Sequence, residues 1–206
     1  MAFIGQTRSR KLIARLAALG LGEMTQADEY PPRRRPYILD NTAFKAWKAG
    51  RPLDAEAFRV ALDACKVDPP AFVVVPDRVA GGVESLRLSL SWVDECKAAG
   101  PAYLVVQDGM HLRQVARVLH RFDGVFVGGT LGWKLKTSEA WVRLAHAQGK
   151  PCHIGRVGTP KRVRWAQRIG ADSIDSSLPL WSEGQLTRFI GSLGRSLQAD
   201  LFTEAA

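Results

Sequence analysis

The segment at residues 151–177, PCHIGRVGTPKRVRWAQRIGADSIDSS, decides the fold. Cys152-His153-Ile154 is a short run suited to a buried strand, and it stops at Gly155. Gly158-Thr159-Pro160 then carries the chemistry of a helix start, with Thr159 as N-cap and Pro160 at the first helical position. The helical stretch covers residues 160–169 and ends at Gly170; Asp172-Ser173-Ile174 follows as a second strand-like run. Strand, helix and strand in this order imply a parallel pair, because parallel neighbours need a crossover connection.

Working outward, the same unit recurs along the chain. Strand-like runs stand at residues 2–4, 37–39, 71–75, 102–106 and 124–127, and helical patterns at 9–19, 54–65, 82–99, 112–122 and 138–148. Val83, Leu86, Leu90 and Val93 show the spacing of an amphipathic helix. Leu53-Asp54 and Thr137-Ser138 offer N-caps, and Gly100 and Gly149 offer stops. A last helix is expected over residues 183–197, with a frayed tail after Gln198. The Pro- and Arg-rich segment GEMTQADEYPPRRRP, residues 22–36, is expected to be a long surface loop, so no eighth strand is evident.

Repeated β/α units leave two α/β architectures, a barrel or an open doubly wound sheet. No GxGxxG fingerprint follows the first strand, where a dinucleotide-binding sheet carries it. The favoured expectation is therefore one domain over residues 1–206, a compact, irregular (β/α)8 TIM-barrel-like fold.

Lys and Arg total 29 against 20 Asp and Glu, a net charge of +9 that favours a polyanionic partner over a neutral one. Cys65, Cys96 and Cys152 lie far apart, in neither a disulfide framework nor a zinc spacing, so reduced core thiols and no metal are expected. The four histidines show no metal-ligand spacing either. Arg8, Arg10, Lys11 and Arg15 interrupt the N-terminal apolar stretch, and no apolar run nears the roughly 20 residues of a membrane span. No membrane association and a cytoplasmic location are expected.

In β/α barrels the chemistry sits where strands end. Those positions hold Asp40-Asn41-Thr42, Asp77, Gln107-Asp108-Gly109, Gly128-Gly129-Thr130, Gly155-Arg156 and Asp175-Ser176-Ser177. Carboxylates gathered at one mouth of a basic protein can bind a metal, act as acid and nucleophile, or hydrogen-bond a polar heterocycle. Each also has a structural role open to it: Asp40 and Asp175 as helix caps, Asp77 as a turn residue, the Gly128-Gly129 pair as a tight turn.

Taken in order, these segments resemble the tRNA-guanine transglycosylase superfamily. YILDNTAF (37–44) is similar to that family's Asp-Ser-Gly-Gly-Phe segment, FVVVPD (72–77) to its strand ending in a base-reading Asp, and YLVVQDG (103–109) to its Val-Gln-Gly-Gly. FVGGTLGWK (126–134) is similar to its Gly-Gly-Leu stretch, and residues 153–177 follow its Gly-Val-Gly-Thr-Pro, helix, Gly-Ile-Asp-x-Phe-Asp pattern. The resemblance covers residues 37–178. The separated cysteines depart from the Cys/His zinc site of the tRNA enzymes. The compact chain and WKLKT (133–137) look more like the phage and bacterial branch that inserts 7-deazaguanine bases into DNA.

The resemblance implies a base exchange on DNA, guanine for a free preQ0-like 7-deazaguanine, without a cofactor. It implies Asp175 as nucleophile and Asp40 as general acid/base. It also implies Asp77, Gln107, Gly128, Gly129 and Asn41 around the base. Arg33, Arg34, Arg35, Lys134, Lys136, Lys161, Arg162 and Arg164 are the candidate phosphate contacts. The rival expectations are exchange on tRNA, a non-catalytic nucleic-acid-binding barrel, and a small-molecule enzyme holding a phosphate at Gly158-Thr159.

Overall fold

Eight short runs form strands, and each pairs in parallel with the next along the chain. The computed structural model describes residues 1–194. Its strands are β1 (Ala2–Gly5), β2 (Gly22–Gln26), β3 (Tyr37–Asp40), β4 (Phe72–Val74), β5 (Ala102–Val106), β6 (Gly124–Val127), β7 (Cys152–Ile154) and β8 (Ser173–Ser176). They close into a barrel in sequence order, with β8 pairing β1 so that Phe3 lies beside Asp175. The helices are α1 (Arg10–Ala18), α2 (Ala43–Lys48), α3 (Ala55–Cys65), α4 (Gly82–Lys97), α5 (Leu112–Val118), α6 (Leu131–Ala147), α7 (Pro160–Arg168) and α8 (Glu183–Leu193). This is a (β/α)8 barrel with two irregularities: β2 and β3 are joined by a 3-10 turn and a loop instead of a helix, and two helices, α2 and α3, lie between β3 and β4. The helix end expected at Leu197 and the tail after Gln198 lie outside the described residues.

Strand alternation separates two cores. Phe3, Ile38, Phe72, Val74, Tyr103, Val105 and Phe126 fill the barrel interior, with Phe72 and Tyr103 stacked 3.9 Å apart. Residues of opposite parity, among them Ile4, Leu39, Val73, Leu104 and Ile154, pack outward against helix residues such as Leu16, Phe58, Val93 and Val163. The expected caps at Asp54 and Thr159 form: Asp54 accepts from the Ala57 N–H at 3.0 Å, and Thr159 accepts from Arg162. Among the described residues no helix is long and apolar enough to cross a membrane.

Two expectations are corrected. The segment at residues 22–36 is not all loop, because Gly22–Gln26 is the eighth strand, β2. Its outward residues Glu23 and Thr25 are fully buried. They are covered by the following segment, from which the Arg34 guanidinium comes within 3.3 Å of Glu23 and donates to the carbonyls of Ile4, Leu21 and Gly22. A buried ion pair replaces the usual apolar helix contact, so the strand carries a polar sequence. The second correction concerns α6, which begins at Leu131 and not at residue 138. Thr137 lies inside it, its hydroxyl donating to the Trp133 carbonyl at 2.9 Å.

Candidate active site

The C-terminal ends of the strands surround a cavity of about 520 Å³. Its floor is apolar, made of Met24, Val74, Val105 and Phe126, and its walls carry the polar strand-end residues. Asp40, Asn41, Asp77, Gln107, Gly128, Gly129 and Asp175 all line it, whereas the strand-end carboxylate of Asp108 lies outside it and accepts from the Thr130 N–H and hydroxyl at 2.7 Å.

Asp175 is fixed from below. It points inward from β8, and its Oδ1 lies 2.9 Å from Nε2 of His153, which points inward from β7. The Arg156 backbone N–H donates to Oδ2 at 3.2 Å. His153 is fully buried; burial lowers its pKa, with the neighbouring carboxylate opposing. In the neutral tautomer that satisfies both contacts, Nε2–H donates to Asp175 and Nδ1 accepts from the Ser173 hydroxyl at 2.8 Å.

Asp40 has different surroundings. Its Oδ1 accepts the Thr42 N–H at 2.7 Å. Burial pushes its carboxyl up to about 7; that N–H opposes the shift, and the charges of Asp175 and Asp77 add to it. A group with that value exchanges its proton readily near neutrality.

A third cluster spans the ends of β3, β4 and β5. Asn41 Nδ2 donates to Asp77 Oδ1 at 2.8 Å and to the Val75 carbonyl at 2.9 Å, while Gln107 Nε2 donates to Asp77 Oδ2. The Ala43 N–H donates to Asn41 Oδ1 at 2.7 Å, which fixes the amide's orientation. Burial raises Asp77 to about 6, opposed by the two amide donors and by Arg156. Each Asp77 oxygen keeps a lone pair for a further donor from the cavity.

Gly128 and Gly155 keep the wall bare. A Cβ at Gly128 would sit 2.8 Å from Val105 Cγ1 and 2.9 Å from Gln107 Nε2. A Cβ at Gly155 would sit 2.7 Å from the Phe126 ring and 3.3 Å from Asp175 Oδ1. Side chains there would displace the groups that define the cavity.

The basic residues divide. Lys136, Lys161 and Arg164 are exposed on helices that start at the mouth, and Arg162 lines the cavity. Arg33, Arg34 and Arg35 precede β3 and so stand at the opposite end of the barrel; Arg34 is buried with Glu23, and Arg35 pairs with Asp68. Lys134 is also withdrawn from solvent, its Nζ donating to the Gly155 carbonyl, with burial lowering its pKa to about 7. Arg34 and Lys134 are thus structural groups and do not face a phosphate, because a buried cation must find its partners inside the protein.

The sequence reading gave no role at the site to four residues: His153, Arg156 and the rim aromatics Phe44 and Trp181. Strand parity would have found the first, since His153 is two residues before Gly155 and faces the same interior as Asp175. Arg156 has a left-handed backbone (φ 59°). Its guanidinium reaches from the β7 end to the Gly129 carbonyl and lies 4.2 Å above the Phe44 ring. Phe44 and Trp181, both exposed, line the mouth. Neither a scan against protein-family models nor a search of curated proteins finds a match to this chain.

Proposed function

We propose that the protein is a base-exchange transglycosylase, replacing a guanine in DNA with a free 7-deazaguanine base through a glycosyl ester on Asp175. One observation carries this reading. Two carboxylates in unlike surroundings, Asp175 and Asp40, share one cavity with the linked set Asn41, Asp77 and Gln107. A cavity of about 520 Å³ has the size and mixed lining of a small-molecule pocket.

In the first step an Asp175 oxygen attacks the sugar C1′ and the C1′–N9 bond breaks. The electron pair leaves with guanine, whose ring takes up the proton that Asp40 releases. In the second step Asp40 removes the N9 proton of the incoming base. That nitrogen then attacks C1′, and the Asp175 carboxylate departs. Two inversions retain the sugar's configuration, and no electrons are gained or lost. A carboxyl that titrates near 7 can serve first as acid and then as base. Asp77 accepts the ring N–H and amino donors of a guanine-type base, and Gln107 and the Gly129 backbone N–H meet its carbonyl edge. Lys136, Lys161, Arg162 and Arg164 supply positive charge at the mouth; extruding a base from duplex costs a few kcal/mol, which backbone contacts offset in part.

The test is transfer of labelled guanine into polymer, run separately with double-stranded DNA, single-stranded DNA and tRNA. Label entering DNA with the intact protein but not with Asp175→Asn supports the proposal. Label entering tRNA alone would move the substrate to tRNA. Binding without label in any polymer would leave a non-catalytic nucleic-acid-binding barrel.

A further inference from the structure

Trp47, Trp92, Trp133, Trp141, Trp165 and Trp181 are distributed unevenly. Trp92 and Trp141 are buried, and Trp133 and Trp165 pack partly against the core. Only Trp47 and Trp181 are freely exposed, at 57% and 75%, and both follow the C-terminal end of a strand. Trp181 alone of the two lines the cavity. What sets Trp181 apart is its place: its indole keeps an open face for stacking at the rim of the cavity.

The backbone beneath Trp181 is well anchored. The chain leaves Asp175, passes Ser176, Ser177 and Leu178 along the cavity wall, and turns through a 3-10 segment, Leu178–Leu180. The Ser176 hydroxyl accepts the Leu178 N–H at 3.1 Å, and the Trp181 N–H donates to the Leu178 carbonyl at 3.1 Å. Immediately afterwards Ser182 caps α8, accepting the Gln185 N–H at 3.2 Å. The indole is therefore presented at the outer edge of the same wall whose inner end holds Asp175.

Its surroundings select a nucleobase over an apolar protein surface. Arg162 lines the same cavity from the first turn of α7, with Lys161 and Arg164 exposed beside it in the chain. Among the described residues none of these three cations is ion-paired, while the acidic residue closest to Trp181 in sequence, Glu183, is held by Arg15 at 2.5 Å. One exposed ring among free cations is the grouping that binds single strands, the ring stacking a base and the cations following the backbone. We infer that Trp181 stacks the unpaired base next to the nucleotide whose own base enters the cavity, with Arg162 and Lys161 beside the intervening phosphate. The inference rests on the base-exchange reading for the nucleotide in the cavity. It adds that the strand is held unpaired over at least two nucleotides.

The experiment uses the full chain carrying Asp175→Asn, so that binding is read without chemistry. A fluorescent DNA pentanucleotide with guanine at its centre is titrated by anisotropy. The same titration is run with an abasic residue on either side of that guanine, and with the RNA equivalent. Adding Trp181→Ala is expected to weaken binding of the intact strand by roughly tenfold. One abasic neighbour should weaken the Trp181 protein by a similar factor and leave the Trp181→Ala protein indifferent, and Trp181→Phe should recover most of the loss. Equal sensitivity of both proteins to each abasic neighbour would overturn the inference, as would binding of no oligonucleotide. Labelled-guanine exchange separates the two proposals. Exchange with no Trp181 coupling retires the stacking role alone, whereas coupling without exchange leaves it standing and retires the chemistry.

Discussion

His153 Nε2 lies 2.9 Å from Asp175 Oδ1 inside the barrel, and both side chains are buried. The β7–β8 register sets this contact, because His153 pairs with Ser173 and the Ser173 hydroxyl meets the other ring nitrogen. A neutral imidazole held at both ends acts as a fixed donor, aiming the carboxylate without neutralising it. His153 is a positioning residue in the proposed exchange. His153→Phe, which keeps the ring volume and removes the donor, should lower kcat about 10- to 100-fold, the range for losing a hydrogen bond to a charged group. KM should change little, and His153→Gln should retain part of the rate; steady-state exchange kinetics check both.

Asp40 supplies a pH signature. With its carboxyl near 7, guanine release should slow as pH rises through about 7, and Asp40→Asn should abolish that dependence along with most of the activity. The same shift has a consequence for stability. A pKa raised on folding makes the folded protein bind the proton more tightly, so stability falls as pH climbs from about 4 to about 7. Asn keeps the acceptor for the Thr42 N–H and cannot ionise. The melting temperature of Asp40→Asn relative to the natural protein should therefore rise across that interval and level off above it.

Asp77 should separate binding from chemistry. In Asp77→Asn one carboxylate oxygen becomes an NH2 group facing the donors of Asn41 and Gln107. The KM for free guanine should rise at least tenfold, with a smaller change in kcat, whereas Asp175→Asn should remove turnover itself. Equal losses in both variants would contradict the division of roles.

The buried pair beneath β2 should matter to stability and not to specificity. Arg34→Ala leaves Glu23 buried without its cation, which costs about 3–5 kcal/mol. For a domain of this size that lowers the melting temperature by roughly 10 °C. Replacing both partners with apolar residues, Glu23→Leu and Arg34→Met, should recover much of the loss. Thermal denaturation of the two variants beside the natural protein checks this, with exchange per folded molecule expected to stay near the natural level.

Much of this arrangement was legible in the sequence, and the gaps share a cause. Apolar runs such as Phe72–Val74 and Ala102–Val106 announce strands because both of their faces are apolar. β2 does not, since its outward Glu23 faces a buried arginine eleven residues further along the chain and Thr25 donates to Glu23, and no local pattern records those contacts. The start of α6 was hidden by Gly132, a poor helix former in its first turn. At the site, Asp40, Asp77 and Asp175 stood out because each closes a strand in a repeated βα order. Lys134 and Arg34 were misplaced because a charge in sequence looks like solvent exposure, and only the packed structure shows a cation turned toward carbonyl oxygens. His153 needed the inward parity of β7, and Arg156 needed the left-handed turn that carries its side chain across the mouth.

The central claim is a covalent sugar ester on Asp175, and trapping it is the most direct measurement. The protein would be incubated with a guanine-containing DNA oligonucleotide, denatured, and analysed by intact mass and peptide mapping. The account predicts a denaturation-resistant adduct on the peptide containing Asp175, discharged by added guanine and missing in Asp175→Asn. An adduct that survives Asp175→Asn, or base exchange proceeding with no adduct on that residue, would contradict it.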